Sequence, residues 1–591
     1  MPSQRRSPRI VGNDRQEENP GKTLPGHTTH RQSHMQNLHK GDTKPCFASS
    51  WLMNEEYSDR DIADRYSVDG VEVVVVSSGT RSSGSYLIYP PEYRMNSRQL
   101  LVLTEAMNHL SRFRPGEMQV DSISVIRAHM KTMAKDVVYS ILAQREGDAD
   151  TDELEREAEE LSTIICRYTA GYGVLETMLK DPRVQDVYID APSSQAPVHV
   201  VLRSDALRAV RQKCRTNVFV GRRDLQAFVS RVKFETGLPF SEAVPVLEAD
   251  IKDLRSRVTL VSPPLSDRGV SVAVRRHSER SWSLPLLIAN GSLSPLLSAF
   301  LWACTIGRRA VLIAGSRGAG KTTLLSALML EFPLSQRILL IEDTPEIPVG
   351  RMQELGYDIQ TLRFSHGGTT GRGLDAKDAL RVSLRMGESA IIIGEVRSNE
   401  ASVLYESMRA GSAGSSVLGT IHGNSARGVL DRAVEDLGVS ERAFSSTDIV
   451  VVIGLLRSPD GARFSRRVVE VAEVRQDGAS VRLVNLFETA PECSCAKPTK
   501  EFSAECDTVV GIAGALGRSP ADLMDIIRAK AHADQVLADA RGGADTRRPE
   551  CTDDMRVITN ELITRDLFNS ASPEAGLRQW MASHEARVDW S

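Results

Sequence analysis

The sequence lacks any run of about 18 apolar residues, so it predicts no helix long enough to span a bilayer. Its N-terminus also lacks the apolar segment of a secretory signal peptide. Neither charge sign dominates, because the chain has 73 Lys and Arg and 77 Asp and Glu. The resulting net charge of -4 does not indicate nucleic-acid binding. Eight Cys scattered over 591 residues are typical of a reduced, cytosolic protein. Any membrane role is therefore expected to run through a protein partner.

Length and local composition predict several domains. A chain of 591 residues is expected to form about three to five domains. The first residues are polar and offer little apolar surface to bury. From residue 286 apolar strands alternate with helices, which indicates an α/β fold with a largely parallel sheet. The predicted units are a disordered polar tail (1–55), a mostly helical N-terminal domain (56–165), a small α/β domain (166–285), a P-loop domain (286–488), and a polar break followed by a helical C-terminal extension (489–591).

A phosphate-binding motif is the most specific local pattern. Residues 309–314 predict a short apolar strand and 323–331 a helix, and the residues between them fit G-x-x-x-x-G-K-[ST]. Glycines in such a loop let backbone N–H groups converge on phosphate, and the helix N-terminus adds partial positive charge. Lys321 is expected to reach the β- and γ-phosphates, and the Thr322 hydroxyl to ligate Mg²⁺. The predicted nucleotide-binding residues of this motif are Gly315, Ser316, Arg317, Gly318, Ala319, Gly320, Lys321, Thr322 and Thr323.

Acidic residues follow two further predicted strands. The strand 337–341 leads into Glu342 and Asp343, and the strand 390–393 leads into Gly394 and Glu395. Ligands bind beyond the carboxyl ends of strands in open α/β sheets, so these acids are expected to meet the phosphate loop. There they can bind Mg²⁺ or orient water, although acids after strands also simply turn or cap the chain.

A histidine ends one more apolar strand. Residues 417–422 predict a strand that ends in His422. A lone histidine at such a position is more often structural than functional, and the residue pattern by itself leaves both readings open.

Four blocks in a fixed order resemble the secretion and pilus-assembly ATPase superfamily. This superfamily serves type II secretion, type IV secretion, type IV pili and the archaeal archaellum. The segment LRMGESAIIIGEVR (384–397) is most similar to its archaeal branch. The resemblance covers roughly residues 165–485 and implies a RecA-like P-loop core. The blocks are GSRGAGKTT (315–323), ILLIEDTPEI (338–347), AIIIGEVRSNEA (390–401) and AGSAGSSVLGTIHGNSARGVLDRA (410–433).

The resemblance implies a role for each matching residue. Glu395 resembles the family's general base or water organiser, Glu342 a glutamate that helps to polarise water, and His422 a histidine that senses the γ-phosphate. Asp343 is assigned to Mg²⁺ together with Thr322. Arginines of the family's preceding domain reach the nucleotide phosphates when that domain closes. The matching arginines here are Arg257 and either Arg275 or Arg276.

Two departures from the family pattern stand out. Many members begin the last block with Gly-His, whereas this chain has Gly411-Ser412. Many bacterial members place Arg-x-x-Pro-Asp before the third block, whereas residues 386–389 read MGES here, so the resemblance leaves Arg385 open as either a phosphate contact or an interface contact.

Three cysteines fall in the polar break, but their spacing does not match the paired Cys-x-x-Cys motifs of zinc-binding relatives. Cys493 and Cys495 form a Cys-x-Cys pair, Cys506 follows, and no fourth ligand is evident. Unligated thiols are therefore favoured over a metal site.

The function that the resemblance implies is that of a cytoplasmic homohexameric ring which hydrolyses Mg-ATP. Such a ring would act peripherally on a polytopic membrane platform protein, and through it on a pilin-like or secreted substrate. One alternative is a conjugation-type ATPase that transfers DNA or protein, although the net charge argues against a nucleic-acid partner. Another is a scaffold that binds nucleotide without hydrolysing it, which the presence of both Glu342 and Glu395 disfavours.

Overall fold

The computed structural model describes residues 45–585 with internal gaps. The residues left out within that range are 46, 78–83, 113–122, 146–149, 203–212, 278–280, 365–375, 384, 388–389, 397–400, 402–403, 406–407, 410–415, 458–463, 479, 490–494 and 540–552.

Strands of the first half form one mixed nine-stranded sheet in the order β2-β3-β4-β7-β6-β5-β11-β10-β9. Its members are β2 (Ile62–Val68), β3 (Val71–Val76), β4 (Gly84–Tyr89), β5 (Val184–Ile189), β6 (His199–Leu202), β7 (Lys213–Thr216), β9 (Val246–Ile251), β10 (Ser256–Val261) and β11 (Ser271–Arg276). Two short strands, β1 (Trp51–Leu52) and β8 (Val218–Phe219), pair separately.

A second nine-stranded sheet forms the nucleotide-binding half, in the order β14-β13-β15-β16-β12-β17-β18-β19-β20. The run from β14 to β17 is parallel, and the remaining pairs are antiparallel. This is the α/β, RecA-like P-loop core that the sequence predicted. The strands are β12 (Ala310–Gly315), β13 (Ile338–Glu342), β14 (Ile359–Arg363), β15 (Ala390–Val396), β16 (Val417–His422), β17 (Ile449–Arg457), β18 (Phe464–Asp477), β19 (Ser480–Glu488) and β20 (Lys497–Pro498).

Helices cover both sheets and make up most of the chain's C-terminal part. In the first half they span Ser97–Arg112, Ile123–Arg145, Thr151–Thr169, Leu175–Lys180 and Arg222–Thr236. In the second half they span Leu284–Ala289, Pro295–Ile306, Lys321–Met329, Val349–Glu354, Ala376–Ser383, Ala426–Asp431, Glu441–Phe444, Asp507–Ala515, Pro520–Asp539, Asp553–Asn569 and Pro573–Glu585. Within the described residues, none of these helices is both long and apolar enough to cross a membrane.

The first sheet corrects the predicted boundary at residue 165. β2, β3 and β4 precede that boundary, yet β4 pairs in parallel with β7, which follows it. The predicted helical domain (56–165) and small α/β domain (166–285) therefore share one sheet. No local sequence pattern shows that the strand Gly84–Tyr89 joins a strand some 130 residues later in the chain.

The structure also shortens the predicted disordered tail, because residues 47–52 are packed. The backbone N–H groups of Ser49 and Ser50 donate to the Asp224 carboxylate at 3.0 and 2.9 Å. The Trp51 ring stacks on Phe219 with centroids 3.9 Å apart. Residues 1–44 lie outside the described part of the chain. The polar composition of residues 47–52 gave no sign of this packing, because the side chain that they bind, Asp224, is far away in sequence.

These contacts predict that a chain beginning at residue 45 is more stable than one beginning at residue 53. The difference in the free energy of unfolding is expected to be about 2 kcal/mol, because hydrogen bonds to a charged acceptor are lost. Chemical denaturation of both chains measures it. Asp224→Ala provides the control: it should destabilise the longer chain and have little further effect on the shorter one. Equal stability of the two chains would contradict the packing described here.

The helices of the C-terminal extension share the core of the nucleotide-binding half. Leu523, Ile527 and Trp580 belong to the same buried cluster as Val311 and Leu325. The polar break likewise contains Phe502, whose ring packs against Phe300 and Phe487 at 5.2 and 4.6 Å. The extension is therefore integral to this half of the molecule.

Candidate nucleotide site

The phosphate-binding loop has little room for side chains. A Cβ on Gly315 would lie 2.8 Å from the Ile453 carbonyl oxygen of the neighbouring strand. Gly318 and Gly320 adopt φ values of 78° and 100°, which favour glycine. The loop then opens directly into the helix that begins at Lys321. Glycine-rich loops of this kind direct backbone N–H groups at an anion beside a helix N-terminus. Here the Ala319 N–H also donates to the Ser316 carbonyl oxygen at 3.2 Å, which closes the loop.

Lys321 lies inside the loop. Its ammonium donates to the carbonyl oxygens of Gly315 and Ser316 at 3.2 and 3.3 Å, and lies 3.5 Å from Nδ1 of His422. Only 9% of its surface is exposed. The buried charge is therefore balanced by neutral acceptors here, an arrangement that leaves it able to exchange them for phosphate oxygens.

Glu395 and His422 form a contact at the centre of the site. Glu395 lies in a bulge of β15, between the paired residues Ile393 and Val396, and the bulge breaks the strand register at this point. His422 Nε2 lies 2.7 Å from Glu395 Oε1. Burial and then the Lys321 charge lower the pKa of His422. The His422 ring thus contacts the P-loop lysine through one nitrogen and Glu395 through the other.

Glu342 occupies a far less polar environment than Glu395. It is 5% exposed, and Gly394 passes so close that a Cβ there would lie 3.1 Å from Glu342 Cγ. Burial raises the pKa of Glu342 to about 8, while the Glu346 backbone N–H, which donates to Oε1 at 3.3 Å, opposes the rise. At neutral pH Glu342 is therefore mostly a neutral carboxylic acid in the absence of nucleotide.

This raised pKa predicts that the fold loses stability as the pH rises. Between the ordinary glutamate pKa of 4.5 and about 8, the folded state holds a proton on Glu342 that the unfolded chain has released. The free energy of unfolding should thus fall from pH 6 to pH 8.5, and fall less in Glu342→Gln, whose side chain stays neutral. Urea denaturation at both pH values measures this, and the exposed Glu354→Gln should retain the full wild-type decline. Identical declines in Glu342→Gln and wild type would overturn the assignment.

A set of oxygen ligands suited to Mg²⁺ lies beside the P-loop. The Thr322 hydroxyl donates to Glu346 Oε2 at 2.8 Å, and Glu342 and Asp343 lie on the same connection. Hydroxyl and carboxylate oxygens are the ligands that Mg²⁺ takes in proteins, so these residues fit the ion. The carboxylate that reaches Thr322 is that of Glu346, whereas the sequence selected Asp343 for this role.

Two of the three predicted arginines line the face of the first sheet that meets the nucleotide-binding half. Arg257 and Arg275 are direct cross-strand neighbours on β10 and β11 and share this face. Arg257 donates to the Thr344 hydroxyl, just beyond Glu342. Arg276 points to the opposite face, where it is buried and donates to the Asp181 carbonyl oxygen. The predicted role of Arg276 in nucleotide binding is therefore wrong. Side chains alternate between the two faces along a strand, so only one of two adjacent arginines can face the site.

Three residues that the sequence did not select also lie at this site. Glu346 was within a quoted block, four residues after Glu342, but was not singled out. Asp186 of β5 pairs across the strands with Arg275, and both Arg275 and Arg317 act on it electrostatically. Arg466 of β18 donates to the Gly318 carbonyl oxygen at 2.8 Å. Arg466 and Asp186 carried no sequence signal, since each lies more than 100 residues from the loop.

The remaining predicted positions fall in different places. Arg317 is exposed at the tip of the loop, Ala319 is buried beneath it, and Thr323 is half-buried on the following helix. Arg385 is exposed, and Gly411-Ser412 lies outside the described residues.

The cysteines form no metal cluster among the described residues. Cys506 caps the helix Asp507–Ala515 through its sulfur, and Cys495 donates to the Gly291 carbonyl oxygen. Cys493 lies outside the described residues.

Comparison with known proteins places the site within a shared segment. The family model described as type II/IV secretion system protein matches residues 165–496. An uncharacterised protein of Methanocaldococcus jannaschii is 27% identical over 56% of this chain, but the match spans only 58% of that protein. The type IV secretion system protein PtlH of Bordetella pertussis is 32% identical over 38% of this chain and 74% of its own length.

Solved structures offer a weaker comparison. The VirB11 ATPase from the type IV secretion system of Brucella suis, determined in complex with sulphate, is 23% identical and is covered over 95% of its length, against 51% of this chain. Its TM-score of 0.25 is too low to support any comparison of domain arrangement.

Proposed function

The chain belongs to the type II/IV secretion system protein family, and from that premise we propose that it hydrolyses Mg-ATP to power protein secretion or the assembly of pilus- or archaellum-like filaments. The observation that carries the proposal is the convergence of four strand ends. In the sheet order β13-β15-β16-β12, three strands end at Glu342, His422 and Gly315, and Glu395 is the next-to-last residue of β15. A charged amine, two carboxyl groups and an imidazole therefore lie around one phosphate-binding loop.

Each residue has a distinct task in the proposed hydrolysis. Lys321 leaves the carbonyl groups of the loop and contacts the β- and γ-phosphates. Glu395 accepts a proton from the water that attacks the γ-phosphorus, and the bond from that phosphorus to the β-γ bridging oxygen breaks. His422 holds the Glu395 carboxylate in place through the contact at its Nε2. Mg²⁺, when bound, neutralises charge on the phosphate oxygens; Thr322 and Glu346 would hold it, with Asp343 and Glu342 beside them.

Glu395 suits the proton-accepting task better than Glu342 does. Glu395 Oε1 lies 2.7 Å from the His422 imidazole, which holds the carboxyl group at the site. Glu342 is largely protonated near neutral pH, because burial raises its pKa to about 8. The two acids thus divide between a proton acceptor and a neutral group that orients water.

The first sheet would complete the site by closing on it. Arg257 already touches the loop after β13, and Arg275 lies beside it. Arginines at this position can stabilise negative charge that develops on the transferred phosphoryl group. Opening and closing of the sheet, linked to nucleotide turnover, would then supply movement to partners, and we propose that a homohexameric ring carries that movement to a polytopic membrane platform protein.

Phosphate release from Mg-ATP by the purified chain tests the enzymatic proposal. Activity should require Mg²⁺, disappear on chelation with EDTA and return when Mg²⁺ is restored. Analytical ultracentrifugation in the presence of a non-hydrolysable ATP analogue tests the ring. A folded hexamer without Mg²⁺-dependent phosphate release would refute hydrolysis and favour the nucleotide-gated scaffold.

Cell fractionation tests the proposed membrane partner. We propose a cytoplasmic protein that is held at the membrane by the platform protein, so it should sediment with membranes when that protein is present and become soluble when its gene is deleted. Binding to pure lipid vesicles of the same composition is the control. Equal binding to vesicles without any partner would contradict the partner-mediated account.

A further inference from the structure

A second polar cluster lies buried at the far end of the P-loop helix. It comprises Glu331, just beyond the helix Lys321–Met329, and Lys530 and Asp534 of the helix Pro520–Asp539. Lys530 Nζ lies 2.6 Å from Asp534 Oδ1 and 3.7 Å from Glu331 Oε2. All three side chains are at least 95% buried. Asp534 thus holds the Lys530 ammonium within its own helix, and the 3.7 Å ion pair to Glu331 connects the extension to the end of the P-loop helix.

A second helix of the extension holds the same end of the P-loop helix. The Asn560 side-chain amide donates to the Leu330 carbonyl oxygen at 3.5 Å, and the Leu334 backbone N–H donates to Glu561 Oε1 at 3.3 Å. The last carbonyl groups of a helix have no partner within the helix, and the Leu330 carbonyl oxygen accepts from the Tyr357 hydroxyl of the core at 2.6 Å as well. Core and extension therefore share this helix end.

We propose that the helices beyond residue 506 are a positioning element of the nucleotide site, and that they act through Lys530 and through the Asn560 and Glu561 contacts at the same end of the P-loop helix. The P-loop helix has 9 residues and so is about 14 Å long. A helix this short moves as a unit, so a displacement of its far end also displaces Lys321 and Thr322. The inference rests on the proposed function, and it concerns a segment outside the family match of 165–496.

The chemistry of the cluster suits a connection that transmits displacement. Apolar contacts tolerate small slides, whereas a buried ion needs its partners at defined distances. Burial raises the pKa of Glu331 to about 7, and the neighbouring Lys530 opposes that rise. Ser298, on a helix of the core, donates to the second oxygen of Asp534 at 2.8 Å and fixes its orientation.

The test replaces the whole cluster, because removal of one member would leave a buried charge unpaired. In the triple variant Glu331→Gln, Lys530→Met, Asp534→Asn, we expect the KM for Mg-ATP and the Kd for a fluorescent ATP analogue to rise about fivefold to tenfold. The thermal midpoint should change little. Arg528→Met is the matched control, since Arg528 lies on the same helix but is exposed and pairs only with exposed Asp525. It should match the wild type throughout.

Hydrogen exchange supplies a reciprocal readout. Coupling between two sites acts equally in both directions, so the nucleotide analogue should slow amide exchange in residues 520–539 of the wild type and have no such effect in the triple variant. Unchanged affinity and unchanged nucleotide-dependent protection in the triple variant would overturn the inference.

If the triple variant fails to fold, the double variant Asn560→Leu, Glu561→Gln decides the same question by the same measurements, since it removes no buried charge. If the wild-type protein binds the analogue but releases no phosphate, only the proposed hydrolysis is refuted. The binding and exchange experiments would still test the positioning role.

Discussion

Replacement of Lys321 with Ala is expected to reduce the rate of ATP hydrolysis by about 100-fold or more, with little loss of stability. The ammonium contacts two loop carbonyl groups and the neighbouring His422, and makes no contribution to the apolar core. Its removal leaves developing charge on the phosphate oxygens without its nearest cation. Steady-state phosphate release measures the effect, and circular dichroism together with thermal denaturation establishes that the variant is folded.

Lys500→Ala is the matched control for this variant. Lys500 is 91% exposed and lies outside the site, so the same chemical change there should leave turnover unaltered. A folded Lys321→Ala protein that hydrolyses ATP at the wild-type rate would remove the assignment of the loop to phosphate binding.

Glu395→Gln is expected to bind Mg-ATP with near wild-type affinity and to hydrolyse it about 100-fold to 10,000-fold more slowly. The amide preserves the shape of the side chain and can still meet His422, but it cannot accept a proton. Equilibrium binding of a fluorescent ATP analogue and single-turnover hydrolysis separate the two effects.

Glu342→Gln provides the comparison, because its effect should depend on pH. Near pH 7 the wild-type Glu342 is mostly protonated and resembles the amide, whereas above its pKa of about 8 it becomes an anion that Gln cannot replace. The Glu342→Gln defect should therefore be smaller than that of Glu395→Gln at pH 7 and grow towards pH 9. A pH-independent defect in Glu342→Gln that exceeds the Glu395→Gln defect would reverse the proposed division of roles.

Local patterns predicted the core strands closely. The strand predicted at 417–422 is β16, and those predicted at 309–314 and 337–341 coincide with β12 and β13 within one residue. Short runs of apolar residues that end at glycine or acid determine such strands, because the strand is buried on both faces. The parallel order then brought the predicted loop, acids and histidine together, as strand ends in an α/β sheet must be close.

The sequence was less informative wherever a contact joined distant segments. No local pattern indicates that Ser49 and Ser50 bind Asp224, or that β4 pairs with β7 across the predicted boundary. For the same reason the C-terminal helices read as an extension, although their apolar faces complete the core around the P-loop helix.

By itself, then, the sequence determined the P-loop, the acids Glu342 and Glu395 that follow their strands, and the α/β class of the core, since glycine spacing and strand periodicity are properties of short segments. The RecA-like architecture came from the family resemblance. Only the tertiary structure decided that burial raises the pKa of Glu342, that Glu346 is the acid at Thr322, and that Arg276 turns away from the site. Those outcomes depend on desolvation and on which face of a strand meets a neighbour. Both arise from packing between segments far apart in the chain, which no short stretch of sequence encodes.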